Sequence, residues 1–160
     1  MDVKKLTEQQ LKNVIENHQR GKAFDQPEYA AALEELQSRR SPSLDLDTTI
    51  KCILASARTD DFLSYGDVAK ANGCDWRSVR RQMPRHLDLV LAKAHARGAP
   101  LITAIVVNDT NRETGALEES SMSGFIAGAE RLGLKVKDAE SFLRAQQSAT
   151  FEFAKHNRSL

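Results

Sequence analysis

The chain has 160 residues, 41% hydrophobic and 28% charged, with only 8 Gly and 4 Pro, which is the composition of an ordinary globular domain and excludes a disordered or collagen-like chain. Its longest apolar run, Leu101-Ile102-Thr103-Ala104-Ile105-Val106-Val107, is far short of the roughly 18 residues a membrane helix needs, and no apolar signal segment follows Met1-Asp2-Val3-Lys4-Lys5. Cys52 and Cys74 lie outside any C-x-x-C or Cys/His spacing, so neither a disulfide scaffold nor a zinc cluster is expected, and a cytoplasmic location without a membrane partner fits best. The net charge of +1 hides a division along the chain: residues 61–98 hold 7 Lys/Arg against 4 Asp/Glu, while residues 1–60 and 99–160 are each slightly acidic.

The chain opens with Thr7-Glu8-Gln9-Gln10, a T-x-x-Q capping box, followed by Leu11, Val14 and Ile15 at helical spacing, which predicts a helix over residues 8–19. Pro27 starts a second helix with Tyr29, Leu33 and Leu36 as its stripe, so residues 1–41 read as a helical hairpin ended by Ser41-Pro42-Ser43. Asp45 or Asp47 caps a third helix with Ile50, Ile53 and Leu54 inside. Ser64 caps a helix over residues 65–71, Gly73 turns the chain, and Asp75 caps another over residues 76–83. Pro84 marks a further helix with Leu87, Leu89, Val90, Leu91 and Ala94, which stops at Gly98. Residues 101–107 are β-branched and read as a strand, and the Asn108 to Gly115 turn returns it as a hairpin. Two helices close the chain, one over residues 124–132 and one over residues 138–156 with Ala139, Phe142, Ala149 and Phe153 inside.

The segment from Ser64 to Met83 meets the requirements of a helix-turn-helix. Ala69 is the small residue where the second helix crosses the first, Gly73 is the turn residue four positions on, and Val79 is the apolar anchor beyond it, with Val68 and Cys74 also inside. Trp76, Val79 and Met83 then share one face, directed to the core, and the opposite face presents Arg77, Ser78, Arg81 and Gln82, with Arg80 at the boundary and Arg85 extending the basic row beyond Pro84. Guanidinium groups fork onto phosphate or guanine and Gln bridges adenine, so these side chains suit DNA, although a solvated helix face has the same composition.

The run Phe62-Leu63-Ser64-Tyr65-Gly66-Asp67-Val68-Ala69 resembles the winged helix-turn-helix of the alkylguanine-DNA alkyltransferases and alkyltransferase-like proteins, where a T-Y-G-E-[IV]-A phrase opens the motif. Ser64 stands for the Thr and Asp67 for the Glu. The resemblance covers about 20 residues closely and implies DNA contact, often in the minor groove, by Tyr65 and by Arg80 or Arg81. That family's nucleophile sits in a Pro-Cys-His-Arg phrase, whereas the comparable region here reads Gly98-Ala99-Pro100-Leu101-Ile102-Thr103, without cysteine or histidine, so alkyl transfer is not expected.

No other chemistry emerges from the residues. His18, His86, His95 and His156 are scattered without metal spacing, Gly124 and Gly128 fit close helix packing better than a phosphate loop, and Asp109, Glu113, Glu118 and Glu119 fit a solvated turn better than a cation cage. The expectation is therefore a mainly α, winged-helix-like helix-turn-helix domain over residues 42–160, with a small β-hairpin and flanking helices. It acts as a non-enzymatic DNA-binding protein through Tyr65, Arg77, Ser78, Arg80, Arg81, Gln82 and Arg85, with no metal and no cofactor. The apolar stripes of the N-terminal hairpin suggest pairing into a homodimer, and the alternative is an interaction or adaptor module of a bacterial or phage system.

Overall fold

In a computed structural model that describes residues 1–39 and 43–160, the chain is mainly helical, with eight α-helices and one two-stranded parallel sheet among those residues. It divides into two compact units, residues 1–42 and 43–160. The break expected at Ser41-Pro42 lies outside the described residues.

The first unit is a hairpin of α1 (Glu8–Arg20) and α2 (Pro27–Arg39). The capping box starts α1 as its spelling predicts, since Gln10 N donates to Thr7 Oγ1 at 3.2 Å and Thr7 N donates to Gln10 Oε1 at 2.7 Å. The two apolar stripes consume each other: Leu11, Ile15 and Ala32 are buried, with Val14, Tyr29 and Leu36 packed around them. Phe24 and Leu33 are the large apolar side chains of this unit that stay exposed apart from Met1. Arg39 pairs with Glu35 at 2.7 Å and donates to the carbonyls of Leu6 and Lys4, which ties the end of α2 to the N-terminal turn.

The second unit opens with α3 (Leu46–Arg58), capped by Asp45, whose carboxylate accepts from Thr48 N at 2.9 Å. The elements β1 (Leu63–Ser64), α4 (Tyr65–Ala71), α5 (Trp76–Val79), α6 (Met83–Ala96), β2 (Val106–Val107), α7 (Glu119–Arg131) and α8 (Ala139–His156) follow in order. One apolar cluster gathers Ile50, Ile53 and Leu54 of α3 with Val68, Val79 and Met83. A second sets Leu91 of α6 and Phe125 of α7 against Leu143 of α8. No described helix is long and apolar enough to cross a membrane.

The β-hairpin expected at residues 101–107 is replaced by a different structure. Residues Ile102–Ile105 form a 3-10 turn, and only Val106–Val107 is strand, paired in parallel with β1 in the register Leu63 to Val106 and Ser64 to Val107. All seven residues of the run are buried, so the apolar sequence records burial on every side rather than one face of an extended ribbon. Gln147 of α8 takes the Ala104 carbonyl at 3.0 Å, which occupies a group that a returning strand needs. The chain beyond passes through a 3-10 turn at Asp109–Asn111 and on to α7, which starts five residues earlier than expected.

The inner face of α8 is also rotated from the expected one. Its buried residues are Leu143, Gln147, Thr150 and Ala154, whereas Ala149 is exposed and Ala139, Phe142 and Phe153 are half-buried. Two of the four buried positions are polar, and a reading by hydrophobicity places them outside. Their hydrogen bonds remove the penalty, because Gln147 donates to two carbonyls and Thr150 Oγ1 donates to Gln146 O at 2.7 Å.

Candidate nucleic-acid interface

The local sequence positions the basic segment through a reciprocal cap and a left-handed turn. Asp67 N donates to Ser64 Oγ at 3.0 Å and Ser64 N donates to Asp67 Oδ2 at 2.9 Å, which fixes the start of α4. Asp67 is held in turn by Arg112 at 3.0 Å. At the other end Gly73 adopts φ +68°, a conformation costly for any residue with a Cβ, and Cys74 N returns to Ala69 O at 2.9 Å. Ala69 and Val68 are fully buried beneath this turn, and half-buried Cys74 closes it.

The turn is anchored by a buried polar network. Asn72 Nδ2 donates to Thr49 Oγ1 at 2.9 Å and to Val68 O at 2.8 Å, and Asn72 Oδ1 accepts from Asp45 N at 2.8 Å. His86 Nε2 lies 2.7 Å from Thr49 Oγ1. Since Thr49 already accepts from Asn72, its one hydroxyl proton is available to an unprotonated imidazole nitrogen. Burial lowers the His86 pKa below its ordinary value, and the Asp45 carboxylate opposes that shift. The unfolded chain therefore takes up the proton first, and stability is lost as pH falls below about 6.5, the unfolded value. Thermal melts should show Tm falling from pH 7 toward pH 5.5, and His86→Gln should flatten that part of the profile; an unchanged profile would mean that His86 does not set it.

The second helix is shorter than expected. It ends at Val79, Arg80–Gln82 form a turn, and α6 starts at Met83 with Pro84 in its first turn, so the continuous helix over residues 76–83 is two pieces. Asp75 supplies no side-chain cap and Pro84 cannot donate to the turn before it, which leaves α5 a single turn about 6 Å long. Val79 and Met83 are buried as expected. Trp76 is not: 38% of it is exposed, and it stacks on Tyr65 with ring centroids 6.1 Å apart and planes at 24°.

Arg77, Ser78, Arg80, Arg81, Gln82 and Arg85 are all exposed, and Tyr65 is half-buried. Burial and the nearby Glu118 charge raise the Tyr65 pKa, so its hydroxyl remains a donor, to Ser121 Oγ at 3.1 Å. Among the described residues none of these four arginines has a carboxylate within ion-pair distance, nor do Arg58, Arg97 and Arg158, whereas Arg20, Arg39, Arg112, Arg131 and Arg144 each hold at least one. Beside the basic segment lies a half-open cavity of about 370 Å³, walled by Tyr65 and Trp76, floored by Met83, Leu87, Val106 and Phe125, and edged by Arg80, Asn108 and Ser120. Sequence reading missed this cavity, because its walls come from α4, α5, α6 and α7 and only the fold brings Ser121 to Tyr65. The one usable signal was the small-residue spacing of Gly124 and Gly128: a Cβ on Gly128 would meet Leu91 at 3.6 Å, so α7 lies close to α6, while Gly124 faces open space at the cavity. Among the described residues no group of three or more His, Cys, Asp or Glu is placed to hold a metal ion. Comparison with family models, with curated proteins and with solved structures returned no match.

Proposed function

We propose that this chain is a non-enzymatic DNA-binding protein whose contact surface is the basic segment around α5. The observation that carries this reading is the set of four exposed arginines, Arg77, Arg80, Arg81 and Arg85, which have no carboxylate partner among the described residues. A cation left without an internal counter-charge keeps its full attraction for phosphate. The winged helix-turn-helix likeness to the alkyltransferase family belongs to this proposal as well. The capped start of α4, buried Ala69, left-handed Gly73 and buried Val79 support it, while the parallel β1–β2 pair stands where that fold has a hairpin wing. A one-turn α5 is too short to lie along a major groove, so the contacts fall mainly on the backbone, with Tyr65 and Arg80 at the base edges.

Binding of this kind is salt-dependent. Fluorescence titration against duplex DNA should give a negative slope of log K against log salt, and the triple change Arg77→Ala, Arg80→Ala, Arg81→Ala should reduce its magnitude by about 2 to 3, at roughly 0.9 for each phosphate no longer neutralised. Affinity that ignores both salt and the triple change would overturn the reading.

A further inference from the structure

The cavity beside α5 has features that duplex binding does not use. Its volume of about 370 Å³ is within the range of pockets that enclose small molecules. Its interior is apolar, yet one wall is the part-exposed Trp76 indole, stacked on Tyr65, whose hydroxyl is in turn hydrogen-bonded to Ser121. An indole left exposed against an apolar cleft gains when a flat apolar group covers it. The charges at the edge decide which flat group. Arg80 has no carboxylate partner among the described residues, while Asp88, the acid in the lining, is paired with Arg131 at 3.1 Å. Glu118 lies near Tyr65 but is outside the lining, and its carboxylate accepts from Asn111 Nδ2 at 3.0 Å. The cavity thus combines an aromatic wall and apolar floor with Arg80, a cation that has no carboxylate partner among the described residues, and the Asn108 and Ser120 side chains add polar groups at the same edge.

We propose that this cavity binds a small planar aromatic carboxylate, with its ring against Trp76 and its carboxylate on Arg80. The site shares Tyr65 and Arg80 with the proposed duplex surface, but it is concave, of small-molecule size, and lined mainly by apolar side chains. It does not depend on the DNA reading, and its test contains no DNA in the principal arm.

The experiment is calorimetric titration of the full chain with 2-naphthoate and with its neutral isostere 2-naphthamide. Naphthoate should bind about tenfold more tightly, the discrimination of one charge-assisted hydrogen-bonding partner. Arg80→Ala, at an exposed position, should remove the preference and leave the melting temperature unchanged. Gly124→Leu places a side chain in open space at the cavity and improves the helix, so it should block both compounds without unfolding the protein. Equal affinity for the two compounds, no heat from either, or undiminished binding in Gly124→Leu would overturn the proposal. Protection of Trp76 from quenching by single-stranded oligonucleotide, with no response to naphthoate, would overturn it in favour of a nucleobase as the occupant.

Discussion

Gly115→Ala is expected to destabilise the second unit by about 2 to 5 kcal/mol, from about 1 to 2 for a left-handed backbone with a Cβ and about 1 to 3 for overpacking. Gly115 adopts φ +71°, and a Cβ there would overlap Phe62 Cζ and Cε1. The ring cannot retreat easily, because Phe62 packs edge-on against Phe151 with centroids 5.3 Å apart. Nor can the backbone: Gly115 N donates to Asn111 O at 2.8 Å and Gly115 O accepts from Gln147 Nε2 at 2.7 Å. Gly133 provides an internal control, since it has φ +88° with nothing within 4 Å of an added Cβ. Gly133→Ala should cost only the backbone part, about 1 to 2 kcal/mol. Chemical denaturation of both variants reads the difference as a shift in midpoint at constant slope. If Gly115→Ala costs no more than Gly133→Ala, the contact with Phe62 carries no energy.

What could be read from the sequence follows from which interactions are local. Thr7 with Gln10, Asp45 with Thr48 and Ser64 with Asp67 each satisfy helix ends within three residues, so the helix starts they mark were visible. Gly73 was visible for the same reason, as the turn it makes closes on Ala69. The buried run at 101–107 was visible as apolar but not as a 3-10 turn, because partners such as Gln147, which takes the Ala104 carbonyl, lie more than 40 residues away. The length of α5 was misjudged because the apolar spacing Trp76, Val79, Met83 continues through a break in the backbone: side-chain periodicity survives where the hydrogen-bond ladder does not. The arginines were individually legible. That they lack carboxylate partners among the described residues was not, since pairing depends on which acids the fold brings near. Of the groove between Trp76, Arg80 and α7 only the small-residue spacing of Gly124 and Gly128 was legible, as no periodicity links residue 65 to residue 121.

Gln147→Met is expected to cost about 2 to 4 kcal/mol, although the two side chains are similar in size and Met is the more apolar. Gln147 is 2% exposed, and its Nε2 donates to Ala104 O at 3.0 Å and to Gly115 O at 2.7 Å. Methionine supplies no donor, so two buried carbonyls lose a partner, at about 1 to 3 kcal/mol each and less where a carbonyl finds other satisfaction. Its Oε1 also accepts from Arg144 Nη1 at 3.1 Å, and Arg144 Nη1 itself donates to Thr114 O at 2.7 Å, so the arginine keeps a partner when the glutamine is removed. Gln147→Glu separates shape from donor capacity. At neutral pH an ionised carboxylate would keep Arg144 on one oxygen, which favours the charge, but would turn the other toward two carbonyl oxygens in a buried site, which opposes it; if the carbonyls and burial dominate, its folded pKa is raised and the variant gains stability relative to the parent as pH falls through that value, because a protonated carboxyl can donate to one carbonyl. Denaturation midpoints for the three proteins at pH 7 and pH 4.5 decide the matter, and a Gln147→Met variant within about 0.5 kcal/mol of the parent, the usual range of neutral surface changes, would show that these hydrogen bonds contribute little. The consequence reaches the groove. Ala104 lies two residues before Val106 and Gly115 two before Leu117, both in its lining, so the side chain that satisfies the two carbonyls also ties down the backbone beside that floor. Loss of Gln147 should therefore loosen that floor and weaken naphthoate binding while leaving the arginines of the basic segment in place.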